Sequence, residues 1–62
     1  MYLNLDAERI RYGYTEEFVA EKLGLTEQAY RLRVESGAFQ LSEAQALTVL
    51  YNQPVEYLFR LL

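Results

Sequence analysis

From Glu27 to Glu35 the chain reads Glu-Gln-Ala-Tyr-Arg-Leu-Arg-Val-Glu, and its outward-going members suit the edges of nucleic-acid bases. The Gln28 amide could pair with adenine through N6 and N7, and the Arg31 guanidinium with guanine through O6 and N7. Glu27 could accept from cytosine N4, and Leu32 could touch a thymine methyl. The same four residues would equally make an ordinary solvated helix face of mixed charge. Lys22, Arg33 and Arg11 are candidates for phosphate, with Thr15 and Thr26 beside them as hydroxyl donors. For Arg11, simple solvation is the plainer reading. Catalysis has less to work with. The chain has no histidine and no cysteine, so a nucleophile–base pair would have to use Ser36 or Ser42, and Ser42 is placed to cap a helix. Glu16, Glu17 and Glu21 crowd one helix, but carboxylates without a pocket make a charged face. No enzyme, metal, cofactor or small-molecule ligand is expected.

For Gln28 and Arg31 to point outward together, a helix must hide its other side. Tyr30 and Val34 are four apart and share one face. Turned inward at about 100° per residue, they leave Glu27, Gln28, Arg31, Leu32 and Glu35 on the outer arc. Thr26 can cap this helix. Upstream, Thr15 can cap a shorter one, with Glu16 and Glu17 at its positive end. Phe18, Val19 and Leu23 recur there at helical spacing, Ala20 permits close approach, and Gly24 suits the left-handed residue that ends such a helix. Two short helices joined by a tight turn with glycine have the layout of a DNA-reading helix-turn-helix.

The remaining segments read as supports. A first helix is predicted from about Leu5 to Tyr12, with Leu3, Ala7, Ile10 and Tyr14 as its apolar side and Gly13 as its stop. Glu8 could pair with Arg11 or Tyr12 one turn on. Residues 36–40 read as a loop in which Gly37 takes positive φ and Phe39 anchors the loop to the core. Ser42 and Gln45 fit a capping box with Leu41 as staple. Ala46, Leu47, Val49, Leu50 and Tyr51 follow as a wide apolar stripe, which Asn52 can stop. Pro54 can open a last short helix burying Val55, Leu58 and Phe59. The expectation is one all-α domain over residues 1–62, with five helices and no strand pattern.

Composition sets limits on this plan. A chain of 62 residues buries only about 60 % of its unfolded surface, so its stability is marginal. Disulfide and zinc staples are excluded by residue type. The compensation is a 52 % apolar content, six tyrosines and three phenylalanines. No apolar run approaches a membrane span. The opening residues lack the basic-then-apolar layout of a signal peptide, so a cytoplasmic location is expected. The net charge of −3 is unusual for a nucleic-acid binder, which normally carries a basic face.

In order and spacing the chain resembles the lambda-repressor-like (Cro/CI, or XRE) helix-turn-helix family. Arg9, Gly13 and Tyr14-Thr15 are similar to the family's opening motif. Glu17, Ala20 and Leu23-Gly24-Leu25-Thr26 match the helix-turn-helix itself, and Glu35 with Gly37 resembles its close. Leu41-Ser42-Glu43-Ala44 and Tyr57-Leu58-Phe59 resemble the last two helices. The resemblance implies a compact five-helix domain and a sequence-specific regulator, a small Cro-type repressor of phage or prophage kind. It would read the major groove of double-stranded DNA as a homodimer. It also implies a structural ion pair between Arg9 and Glu35, here about one residue further apart than in better-known members.

Two departures bear on function. The family commonly carries a phosphate-binding glutamine where this chain has Glu16, and the loop at 37–40 has no basic residue. A rival expectation follows: an acidic helix-turn-helix module that binds a regulator or subunit instead of DNA. For a dimer, Tyr57, Phe59, Leu61 and Leu62 are the candidate interface, with Tyr2 and Leu3 able to extend it. A monomer could make about four phosphate contacts at most, so binding would need two subunits.

Overall fold

A computed structural model describes residues 2–61, and Leu62 of the expected dimer patch lies outside them. Among the described residues there are five helices and no strand. They are α1 (Leu3–Arg11), α2 (Glu16–Lys22), α3 (Glu27–Ser36), α4 (Leu41–Tyr51) and α5 (Val55–Leu58). They close into a body of 24 × 23 × 19 Å. No helix among them is long and apolar enough to cross a membrane.

Every helix contributes to one core. Leu5, Val19, Ala20, Tyr30, Leu47, Tyr51 and Leu58 are buried, and Phe18, Leu23, Val34, Phe39 and Phe59 pack around them half-buried. Phe39 does anchor its loop, with its ring centroid 5.7 Å from that of Phe59 and 6.3 Å from that of Tyr30.

The backbone leaves each early helix through hydrogen bonds that satisfy its last carbonyls. In α2 the Leu25 N–H reaches back to Ala20 O (2.9 Å) and the Gly24 N–H to Glu21 O (3.0 Å). This motif needs a left-handed residue, and Gly24 supplies it at φ 74°. Asn52 does the same after α4 at φ 51°. Gly37 closes α3 at φ 72°, under tighter constraint. A methyl group there would run into the Tyr2 ring, whereas one on Gly24 would meet nothing within 4 Å. Gly37→Ala is therefore expected to cost about 2–3 kcal/mol, of which roughly 1 is the left-handed backbone. Gly24→Ala should cost only the backbone part. Urea unfolding of the two variants compares them directly, and equal losses would show that Tyr2 moves aside freely.

The first helix corrects its expected face. Leu5 and Glu8 are its buried residues, while Leu3, Ala7 and Ile10 are exposed. A buried carboxylate needs partners, and Glu8 has two: Tyr57 Oη donates to it at 3.0 Å and Arg11 Nη1 at 3.3 Å. That bond to Glu8 is also the main reason the Tyr57 phenol is raised above its ordinary pKa. Asn4 donates to Tyr57 O (2.7 Å) and Tyr12 Oη to Tyr51 O (3.0 Å), so α1 is tied along its length to the end of the chain.

The start of α4 is a second correction. The capping pair is Gln40 and Glu43, not Ser42 and Gln45. Glu43 accepts from the Gln40 N–H at 2.9 Å. Leu41 is then the first helical residue, 76 % exposed, and not a staple. Glu43 wins because Arg33 of α3 donates to the same carboxylate at 2.8 Å, a tertiary partner that neither Ser42 nor Gln45 has. At the last helix Pro54 is the cap residue just before α5. Leu58 is buried as expected, but Val55 is 44 % exposed.

Candidate nucleic-acid interface

The α2–turn–α3 pair is fixed at both entrances by threonines. Thr15 Oγ1 accepts from Phe18 N at 3.0 Å, and Thr26 Oγ1 accepts from Ala29 N at 3.1 Å. A hydroxyl that accepts in this way still has its own proton to donate. Both threonines are exposed.

Tyr30 is the inward anchor of α3, 1 % exposed, with Val34 half-buried beside it. The opposite side of the helix carries Gln28, Arg31 and Leu32, all exposed, with Glu27 at their edge. The structure thus brings the four expected base-reading residues onto one outer face.

Their electrostatics differ from the expectation. Arg31 is held between two carboxylates. Its Nε donates to Glu16 Oε1 at 3.2 Å and its Nη2 to Glu27 Oε2 at 2.6 Å. Glu27 is four residues before Arg31 on α3, the favourable order for such a pair. Glu16 opens α2 and reaches across the turn. The guanidinium remains 57 % exposed and the two carboxylates about a third exposed, so screening by water keeps the trio's contribution to stability small.

The basic residues are fewer than the sequence suggested. Among the described residues Lys22 makes no ion pair, and its ammonium rests 5.1 Å from the centre of the Phe18 ring. Arg33 turns toward α4 and is bound by Glu43, which removes it from the phosphate candidates. The Arg9–Glu35 ion pair does not form. Asp6, one turn before Arg9 on α1, lies 3.8 Å from its Nε, and the Tyr14 carbonyl accepts from its Nη1 at 3.0 Å. Glu35 is exposed and borders a shallow groove with Tyr2, Asp6 and Val34. Among the described residues, Arg33–Glu43 is the ion pair in which both side chains are largely shielded from water.

Two of the expected dimer residues are used within the chain. Tyr57 is bonded to Glu8, and Phe59 stacks edge-on between Tyr2 and Phe39. Leu61 remains exposed. The larger apolar exposure lies on Leu41, Val49 and Val55, beside a groove between α4 and α5 lined by Ala44, Thr48 and Pro54.

Two features carry no short-range signal. Ser42 has the residue type that favours a cap, whereas Glu43 is selected by Arg33 from another helix. The contact of Glu16 with Arg31 leaves no short-range mark, since the two are 15 residues apart. The Glu27–Arg31 half of the trio was available from its four-residue spacing. Compared with protein-family models, with curated proteins and with solved structures, the chain matches none.

Proposed function

We propose that this chain is a sequence-specific DNA-binding regulator of the lambda-repressor-like class, a Cro-type repressor of phage or prophage kind acting in the cytoplasm. The observation that carries the reading is the capped α2–turn–α3 pair, which anchors α3 by Tyr30 and turns Gln28, Arg31 and Leu32 outward together. In the major groove, the Gln28 amide would read adenine and the Arg31 fork guanine. Lys22 and the hydroxyls of Thr15 and Thr26 would meet the flanking phosphates. These contacts are few, so a homodimer would be needed, with its two α3 helices about 34 Å apart.

The test is titration with random-sequence duplex DNA at about 50 and about 150 mM salt. Binding at the lower salt is expected. With Lys22 as the one charged phosphate contact per subunit, and so two in the dimer, affinity should fall with a log–log slope of about −2. Arg31→Ala is expected to relax the base preference at one position by about 5- to 150-fold, the equivalent of about 1–3 kcal/mol. Lys22→Ala should weaken all sequences alike. Failure to bind at the lower salt sinks the reading.

One observation favours a second reading. Glu16, Glu17, Glu21, Glu27 and Glu35 all belong to α2 and α3, against Lys22 and a neutralised Arg31. Such a face suits a basic protein partner, a regulator or subunit, in place of DNA. Absence of DNA binding together with loss of partner binding in Glu21→Lys would support it.

A further inference from the structure

Resting on the DNA reading above, we infer that Glu16 and Glu27 are positioning residues that hold the Arg31 guanidinium in the attitude for guanine. A guanidinium has five N–H donors in one plane. The carboxylates take one at Nε and one at Nη2, and Nη1 bonds to nothing among the described residues. Three donors are left, and a guanine edge needs two side by side to fill O6 and N7. The two carboxylates therefore do not exhaust the side chain. They restrict it.

An unrestrained arginine on a helix face samples many rotamers, and fixing it on binding costs conformational entropy. Here the restraint comes from both helices of the motif, Glu27 from the same helix one turn back and Glu16 from α2. Two anchors on different elements set the plane of the fork as well as its position. The trio as a whole carries one negative charge, so it contributes nothing to the attraction for phosphate. Arg31 supplies discrimination without adding to indiscriminate attraction to the backbone. That separation is useful in a chain whose other groove-facing cation is Lys22.

The experiment measures affinity for random-sequence duplex and base preference in a selection from randomised duplexes, for the wild type, Glu16→Gln, Glu27→Gln and Glu17→Gln. Glu17 is exposed, lies next to Glu16 and makes no ion pair among the described residues, so it controls for charge. All three substitutions should raise random-duplex affinity several-fold by removing a negative charge. Only Glu16→Gln and Glu27→Gln should lower the guanine preference, by about fivefold or more, toward the level of Arg31→Ala. A structural role would instead lower both quantities with the melting temperature. If Glu16→Gln keeps or sharpens the guanine preference, the carboxylates compete with DNA and the inference is overturned. If the wild type binds no duplex at about 50 mM salt, the DNA reading itself has failed.

Discussion

Replacing Glu43 with alanine is expected to destabilise the domain by about 3 kcal/mol. Glu43 is buried, 8 % exposed in its side chain, and it serves two neighbours at once. Its carboxylate accepts from Arg33 Nε at 2.8 Å and from the Gln40 N–H at 2.9 Å. Removing it leaves a guanidinium that is only 26 % exposed without its counter-charge, and unties the first turn of α4. Breaking a fully buried pair costs about 3–5 kcal/mol, and losing a helix cap about 1. Partial solvation of Arg33 places the sum near the lower end. A domain of this length has roughly 3–9 kcal/mol in all, so the variant should be close to unfolding at physiological temperature. Glu43→Gln keeps an acceptor for both donors and should lose about half as much. Chemical denaturation measures both. A loss below about 1 kcal/mol for Glu43→Ala would mean that Arg33 finds water as good a partner.

The second large effect is an alkaline transition. Burial raises the Tyr30 phenol to about 12, with the Asp6 and Glu16 carboxylates adding to the rise and Arg9 opposing it. Tyr51 is raised further, again mainly by burial, and its hydroxyl has no hydrogen-bond partner among the described residues. In the unfolded chain both phenols ionise near pH 10. Above that pH the unfolded state has lost protons that the folded state still holds, so stability falls as pH rises. The contribution is complete below about pH 10 and is lost progressively toward pH 12, at about 1.4 kcal/mol per unit. Tyr30 alone therefore removes about 3 kcal/mol, and Tyr51 adds to the loss. Cooperative unfolding between about pH 10 and 12 is expected, with tyrosinate absorbance rising in step with loss of helical circular dichroism. Tyr51→Phe deletes one of the buried ionisations and an unbonded hydroxyl, so its midpoint should lie at higher pH. Helical signal unchanged past pH 12 would contradict the assignment.

What could be read from the sequence was local. Thr15 and Thr26 cap helices within three residues of themselves, and Gly24 and Asn52 stop helices by their own backbone preference. Short-range chemistry of this sort leaves a mark at fixed spacing. The face of α1 left none. Its periodicity points to Leu3, Ala7 and Ile10, but the buried pair is Leu5 and Glu8. The decisive partner of Glu8 is Tyr57, 49 positions along the chain. Ser42-x-x-Gln45 fits the capping-box pattern and Gln40-x-x-Glu43 does not, yet Arg33 from another helix selects the second. The candidate site divides in the same way. The outer face of α3 follows from the inward spacing of Tyr30 and Val34. That Arg31 is already engaged, and Arg33 turned away, depends on how α2 and α4 lie against α3.

The bonds between α1 and the end of the chain have a consequence for synthesis. Asn4 and Glu8 meet Tyr57, and Tyr12 meets Tyr51, across 53, 49 and 39 positions. Of the five described helices, the one made first is thus the one whose partners arrive last. Until α5 is made, the Glu8 carboxylate lacks its Tyr57 partner and Leu5 lacks the part of the core that Leu58 supplies. The α2–α3 pair can form earlier from its own caps, but the whole becomes a single cooperative unit only when translation has delivered Tyr57 and Leu58.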